Sequence, residues 1–291
     1  MRAEATASAG SGASRWRAGL AGVTALAAVL AALGYRNARA DPIVRRADLQ
    51  MPRWPAGTAP VTVAVFGDIH MGNAAMDAAR LRRIVGQVNR LRPDLLVITG
   101  DLVSGEGREQ ASRAAPDLAA ALRRLRAPLG VLAVPGNHDH DTDPALLART
   151  LRSAGVTLLV NDAVRRGPLA IGGLDDPATG REREVPVLAA LREQPGARLV
   201  VAHSPKPIWR LPKDGTVLLA GHTHCGQIAV PILWRMMAKT PDFRCGIVQD
   251  RRRTTIVTAG LGTSRVPLRL GAPPDLWLLT LGPIRRGQAV R

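Results

Sequence analysis

Five of the six histidines in this 291-residue chain stand in five short polar blocks. The blocks read Asp68-Ile69-His70, Gly100-Asp101, Gly136-Asn137-His138-Asp139, His203 and Gly221-His222-Thr223-His224; only His140 neither opens nor closes one. Neutral imidazole binds Zn, Fe, Ni or Mn, and carboxylate suits the harder members of that series. A mixture of Asp, Asn and His therefore points to borderline metal ions and away from an all-oxygen calcium site. Seven candidate ligands (Asp68, His70, Asp101, Asn137, His203, His222 and His224) exceed what one tetrahedral ion takes. They suit two ions sharing a bridging carboxylate. Such a pair clamps the attacking and leaving oxygens of an in-line displacement and lowers the pKa of a bound water. Any one of these residues alone would read as an ordinary core or surface side chain; the set does not.

The elements that must position these groups are visible before each block. Apolar, β-branched runs at Val61–Phe66, Leu95–Thr99, Val131–Val134, Leu199–Ala202 and Val217–Ala220 read as buried strands. Each polar block is thus the loop after a strand, where open α/β sheets bind ligands. Glycine ahead of the polar residue permits a sharp turn close to an ion. Helical spacing at Met76–Arg90 (Leu81, Ile84, Val85 and Val88 on one face), Leu118–Arg126 and Ala145–Ala154 alternates with the strands of the first half. Further strands are expected at Leu169–Leu174, Thr255–Thr258 and Leu276–Leu281. This is α/β layering, richer in strands toward the C-terminus.

In order, the five blocks resemble the full signature of the calcineurin-like metallophosphoesterases, with 33, 36, 66 and 19 residues between successive blocks. The resemblance covers residues 61–291. It implies an α/β fold, a four-layer α-β-β-α sandwich of two mixed sheets flanked by helices. It also implies a metal-dependent phosphoric ester hydrolase with two ions, Mn, Fe or Zn. Asp68, His70 and His224 would hold one, Asn137, His203 and His222 the other, and Asp101 would bridge them. His138 would be the acid behind the metals that stabilises the transition state or protonates the leaving oxygen, with Asp139 orienting it. A metal-bound hydroxide would attack phosphorus directly, without a covalent enzyme intermediate. The tail GLGTSRVPLRLGAPPDLWLLTL (260–281) and Gln227 resemble a narrower branch, the bacterial membrane-anchored phosphodiesterases of the YkuE/YaeI type. Some of that branch act in lipid A synthesis, cleaving the pyrophosphate of UDP-2,3-diacylglucosamine.

The rest of the chain sets boundaries on function. The formal net charge is +17, and the excess persists after the first 40 residues are set aside. A field of that sign attracts anions: phosphorylated substrates, nucleic acid or acidic head groups. Aromatics make up 3%, too few for the base-stacking surfaces of single-strand binders, so a nuclease is the alternative rather than the first reading. A general phosphodiesterase or phosphomonoesterase of the cell envelope is another, and the sequence names no oligomeric state. Residues 1–17 read as a disordered basic N-terminus. The uncharged run 18–35 reads as a transmembrane anchor, with export after cleavage near Ala40 as the alternative. Arg15 and Arg17 precede the run while Arg36, Arg39, Arg45 and Arg46 follow it, a slight bias toward a cytoplasmic domain on the bacterial inner membrane. Residues 36–60, with four prolines after Asp41, read as a linker. All three lysines (Lys206, Lys213, Lys239) fall between 206 and 239 with Trp209 and Trp234, suiting either a lid that meets a phosphorylated lipid or a membrane surface, or a surface loop whose Trp and Met residues cover the core. Cys225 reads as a small residue tolerated in a loop, a pairing with Cys245 being the lesser expectation.

Overall fold

Val61–Phe66 (β2) points Val63 and Val65 to one face and Ala64 and Phe66 to the other, and both faces are buried. A strand that alternates yet buries both sides needs apolar layers above and below it. The computed structural model describes residues 9–105, 107–229, 245–250 and 253–284 of the chain, and in it two sheets of six strands supply those layers.

The first sheet has the order β1-β12-β2-β3-β4-β5, with β1 at Ile43–Met51, β3 at Leu95–Ile98, β4 at Val131–Ala133, β5 at Thr157–Leu158 and β12 at Asp275–Pro283. Strands β2 to β5 run parallel; β12 is antiparallel to β2 and parallel to β1. The second sheet has the order β10-β11-β9-β8-β7-β6: β6 at Asp162–Arg166, β7 at Leu169–Gly173, β8 at Ala197–Val201, β9 at Val217–Ala220, β10 at Gly246–Asp250 and β11 at Arg253–Val257. Its central strands are parallel and its two edges antiparallel. Val63, Val97, Leu132, Leu199, Leu219 and Ile256 interdigitate between the sheets. Helices α2 (Ala78–Arg90), α3 (Arg108–Leu122) and α5 (Pro144–Ser153) cover the outer face of the first sheet. Helix α6 (Glu184–Glu193) covers the second through Val187 and Leu191. The expected α-β-β-α sandwich of two mixed sheets is observed.

Local chemistry sets the helix starts. Asp77 caps α2 by accepting from the Arg80 backbone N–H, and Asp143 caps α5 ahead of Pro144 in its first turn. The third helix begins earlier than its apolar spacing suggested, at Arg108, because Ala111, Ala114 and Ala115 serve as its small buried face.

The linker reading of 36–60 is corrected. Residues 43–51 form β1, in register with β12 from Ile43↔Asp275 to Met51↔Pro283. The prolines at 42, 52, 55 and 60 bracket this strand and none lies inside it, so proline's missing donor costs the ladder nothing. Ahead of it, α1 (Ala9–Ala38) is a single helix. It is long and apolar enough from Arg15 to Ala38 to cross a membrane, with 6% of its most apolar window buried. Of the N-terminal segment read as disordered, residues 1–8 lie outside the described residues, and 9–17 are the start of α1.

Candidate metal centre

The loops after β2, β3, β4, β8 and β9 converge at the carboxyl ends of the parallel strands, and all seven predicted ligands stand on them. Asp68, His70 and His224 offer ligand atoms within 4.8 Å of one another, and so do Asp68, Asp101 and His203. The Asp101 Oδ2 atom lies 3.5 Å from His70 Nε2 and 3.2 Å from His203 Nε2, between the two histidine sets. His70 Nε2 and His224 Nε2 are 3.1 Å apart, as are His203 Nε2 and His222 Nδ1.

The backbone is bent to achieve this. Asp68, His70, Asp101, His222 and His224 all have φ between 47° and 71°, a left-handed conformation that costs a non-glycine residue about 1–2 kcal/mol. Strain of this kind clusters at functional sites. Two glycines allow the crowding: a Cβ on Gly136 would collide with the Asp101 carboxylate, and one on Gly221 with that of Asp68. The freed backbone then holds the acids. The His222 N–H donates to both Asp68 oxygens at 3.1 Å, and the His138 N–H donates to Asp101 Oδ1 at 3.0 Å.

Protonation follows from burial and neighbours. Burial pushes the His70 pKa down to about 3 and that of His222 to about 4, and drives His224 well below the usual imidazole value. These rings are neutral and their lone pairs are available to a cation. Burial opposes charge on His203 too, but Asp101 facing it raises its pKa to about 10. Burial alone would raise Asp101, yet His203 and His70 hold it well below the carboxylate range. A proton on His203 thus occupies the position where an ion would neutralise Asp101. Burial lifts Asp68 to about 7. The His203 Nδ1–H donates to the Thr99 carbonyl at 2.8 Å, fixing the tautomer that presents Nε2 to the site.

The donor set fits a pair of metal ions. Imidazole nitrogens face one another at contact distance with carboxylate between them. Asn137 Oδ1 is buried with no hydrogen-bond partner. A buried acceptor left without a partner is a place a cation can satisfy.

Two expectations are revised. Asp139 does not orient His138: its carboxylate accepts from the Leu102, Val103 and Gly136 backbone N–H groups, the first and last at 2.9 Å, while His138 Nδ1 is buried without a partner. Successive side chains on a helical turn point in different directions, and that of Asp139 turns toward the loop after β3. Burial raises Asp139 to about 7. Cys225 is not free; it forms a disulfide with Cys245, the Cα atoms 4.9 Å apart. The left-handed turn at Cys225 swings its side chain toward the start of β10. Of the lid residues, Trp209 is 57% exposed, whereas Trp234 and Lys239 lie outside the described residues.

Sequence reasoning missed groups around the centre. Asp175 and Asp176 follow β7, a sixth polar strand end signalled by Gly172-Gly173-Leu174-Asp175-Asp176. Asp175 accepts from His140 Nε2 at 2.6 Å, which gives His140 its place. Ser264 brings its hydroxyl within 3.5 Å of His138 Nε2. Arg269, fully buried, lies 3.3 Å from His224 Nδ1.

The profile of one family, Calcineurin-like phosphoesterase, matches residues 61–226, more than half of the chain. The chain belongs to the calcineurin-like phosphoesterases. It is 28% identical over 276 residues to a zebrafish (Danio rerio) transmembrane protein with metallophosphoesterase domain, covering 88% of this chain and 61% of that one. It is 29% identical over 237 residues to the uncharacterized metallophosphoesterase YkuE of Bacillus subtilis, covering 78% and 81%. The chain thus spans about three-fifths of the zebrafish relative's length. A solved dimetal phosphatase from Danio rerio aligns at a TM-score of 0.46 and 18% identity over 69% of this chain and 88% of that one.

Proposed function

We propose that this calcineurin-like chain is a membrane-anchored, two-metal hydrolase of a phosphodiester or pyrophosphate, of the YkuE-like branch, acting on a substrate presented at a membrane surface. The observation that carries the two-metal reading is Asp101, set between the His70 and His203 nitrogens, with Asn137 Oδ1 buried and unpartnered on the loop after β4. Asp68, His70 and His224 would hold one ion, and Asn137, His203 and His222 the other. Bound there, divalent ions supply Lewis-acid activation of water and neutralise phosphoryl charge. The chain's own part is to keep His222 and His224 neutral, to hold Asp101 ionised, and to place His138 at the rim. There its ring gives a proton to the departing oxygen.

The apolar stretch of α1 supports anchoring, and it makes a lipid-linked phosphate such as UDP-2,3-diacylglucosamine one substrate of the right kind. The membrane side is read from the disulfide. Stable disulfides belong to oxidising compartments, so Cys225–Cys245 favours an extracytoplasmic domain. This outweighs the arginine bias read from sequence. Two of the four arginines behind the span are committed to the fold, Arg39 to Asp77 and Arg45 to Asp275.

The test is turnover by the Mn-reconstituted full chain of bis-p-nitrophenyl phosphate, UDP-diacylglucosamine, cyclic nucleotides and single-stranded DNA. Hydrolysis of the diester, abolished by EDTA and restored by Mn, is expected. Activity indifferent to EDTA would defeat the two-metal reading. Preference for single-stranded DNA would favour a nuclease instead.

A further inference from the structure

The anchor helix does more than end beside the domain. Along the described part of α1 the side chains stay exposed through Leu33, at 44%, and burial begins at Gly34. From Gly34 to Ala40 the helix end is bonded into the catalytic fold. The Gly34 carbonyl accepts from the Arg269 N–H at 2.9 Å, and the face of Gly34 lies against Leu268 and Leu270. The Tyr35 hydroxyl and Arg39 Nη1 both donate to the Ala74 carbonyl, and Arg39 Nη2 pairs with Asp77 at 2.5 Å. Ala38 is fully buried.

Two buried arginines continue these contacts to the metal ligands. Arg80 donates through Nε to the Arg39 carbonyl at 3.2 Å and through Nη2 to the Ala40 and Leu261 carbonyls, both at 2.9 Å. Leu261 and the next residue, Gly262, donate their N–H groups to the Gly67 and Asp68 carbonyls. Arg269, whose N–H holds Gly34, sends its guanidinium to the Ala259, Gly262 and Ala272 carbonyls and up to His224 Nδ1. Asp68 is therefore joined to the anchor through Arg80 and the 261–262 backbone, and His224 through Arg269. The same loop reaches the acid as well: Ser264, beside His138, is five residues from Arg269, a span of at most about 18 Å.

We infer that Gly34–Ala40 is a positioning element of the metal centre, keyed to Asp68 and His224 through Arg80 and Arg269. The helix is retained in the working protein and holds the mouth of the site at the level of the membrane surface. A chain cut after Ala40 would lose the buried Ala38, the Arg39–Asp77 pair and one of the two carbonyls that Arg80 Nη2 binds. The inference rests on the metal-centre reading.

The experiment uses the full chain in detergent. Intact-mass measurement of protein purified from membranes is expected to show residues 34–40 present. Gly34→Phe, which forces a ring against Leu268 and Leu270 and displaces Arg269, is expected to weaken Mn binding by titration calorimetry about 10–100-fold, the usual effect of disturbing groups behind a metal ligand. It should lower kcat on the water-soluble diester, which needs no membrane. Leu30→Phe, one turn earlier on the exposed stretch, should change neither. A mature, active chain beginning at Asp41, or Gly34→Phe with parental Mn affinity, overturns the inference. A parent that binds no Mn overturns the metal-centre reading itself, and is told apart because it fails before any substitution is made.

Discussion

Two polar clusters are buried side by side at the heart of this domain, and they obey opposite rules. At the arginine cluster the guanidiniums of Arg80 and Arg269 face backbone carbonyls from several segments, and each nitrogen has an acceptor. At the histidine cluster, imidazoles face imidazoles, and Asn137 Oδ1 and His138 Nδ1 have no partner. A buried polar network that is fully satisfied rigidifies a core, while a partly satisfied one is costly. The comparison teaches which cluster is structural and which serves a ligand. The arginines are complete within the chain; the histidine cluster leaves Asn137 Oδ1 and His138 Nδ1 open, as the proposed metal centre requires. Substitutions should therefore separate the two, the histidine cluster losing activity at parental stability and the arginine cluster losing stability together with the metal affinity it supports.

The largest separation is expected at His138. His138→Gln removes the ring that faces the Ser264 hydroxyl but no satisfied hydrogen bond at Nδ1. Loss of a general acid costs about 10²–10⁴-fold in kcat. Metal content, by elemental analysis, and Tm should stay at parental values. If the His138→Gln protein also unfolds at a clearly lower temperature, His138 belongs to the structural class and the contrast fails.

Next comes the arginine cluster. Arg269→Met keeps most of the volume and removes every side-chain donor, stranding the Ala259, Gly262 and Ala272 carbonyls. A stranded buried group costs about 1–3 kcal/mol, so a loss of more than about 3 kcal/mol is expected in denaturant unfolding. A variant of parental stability would show that these carbonyls find other partners, and that completeness was not what Arg269 supplied.

The same contrast explains what the sequence discloses. The histidine cluster was legible because its chemistry is local: the seven candidate ligands follow the ends of five strands, so apolar runs ending in Asp, Asn or His give the positions directly. The arginine cluster was not. Arg80 looks like one more basic residue on an amphipathic helix, and Arg269 one of many arginines near the C-terminus. The burial of Arg80 depends on carbonyls as far as 181 residues away. Strand β1 was hidden for a related reason. Its partner is β12, near the other end of the chain, and parallel pairing over such a separation leaves no hairpin signal nearby. The role of Asp139 was misjudged because adjacency in sequence to His138 suggested contact, whereas the short helix Asn137–Asp141 turns the two side chains apart. The disulfide needed the fold too, since two cysteines 20 residues apart fix no distance.

The smallest expected effect tests a pair that stands between the two clusters in character. His140 and Asp175 join α4 (Asn137–Asp141), after the first sheet's β4, to the end of β7 in the second, and each side chain is about one-tenth exposed. The bond to Asp175 raises His140 above its ordinary 6.5, against the opposing effects of burial and Arg181. Burial would raise Asp175, but His140 and the Asp176 N–H lower it below 3.8. The signs then follow. A histidine with a raised pKa contributes stability that is complete below the unfolded value and is lost as pH rises through the folded value. A carboxylate with a lowered pKa contributes above its unfolded value and loses it as pH falls through the folded one. The pair is therefore worth most between about pH 4 and 6.5. The Tm gap between parent and His140→Gln should be widest there and should close above neutrality as His140 loses its proton. A gap that does not change across this range would mean that His140 joins the sheets by packing, with no ionic part, and would move it into the fully structural class with Arg269.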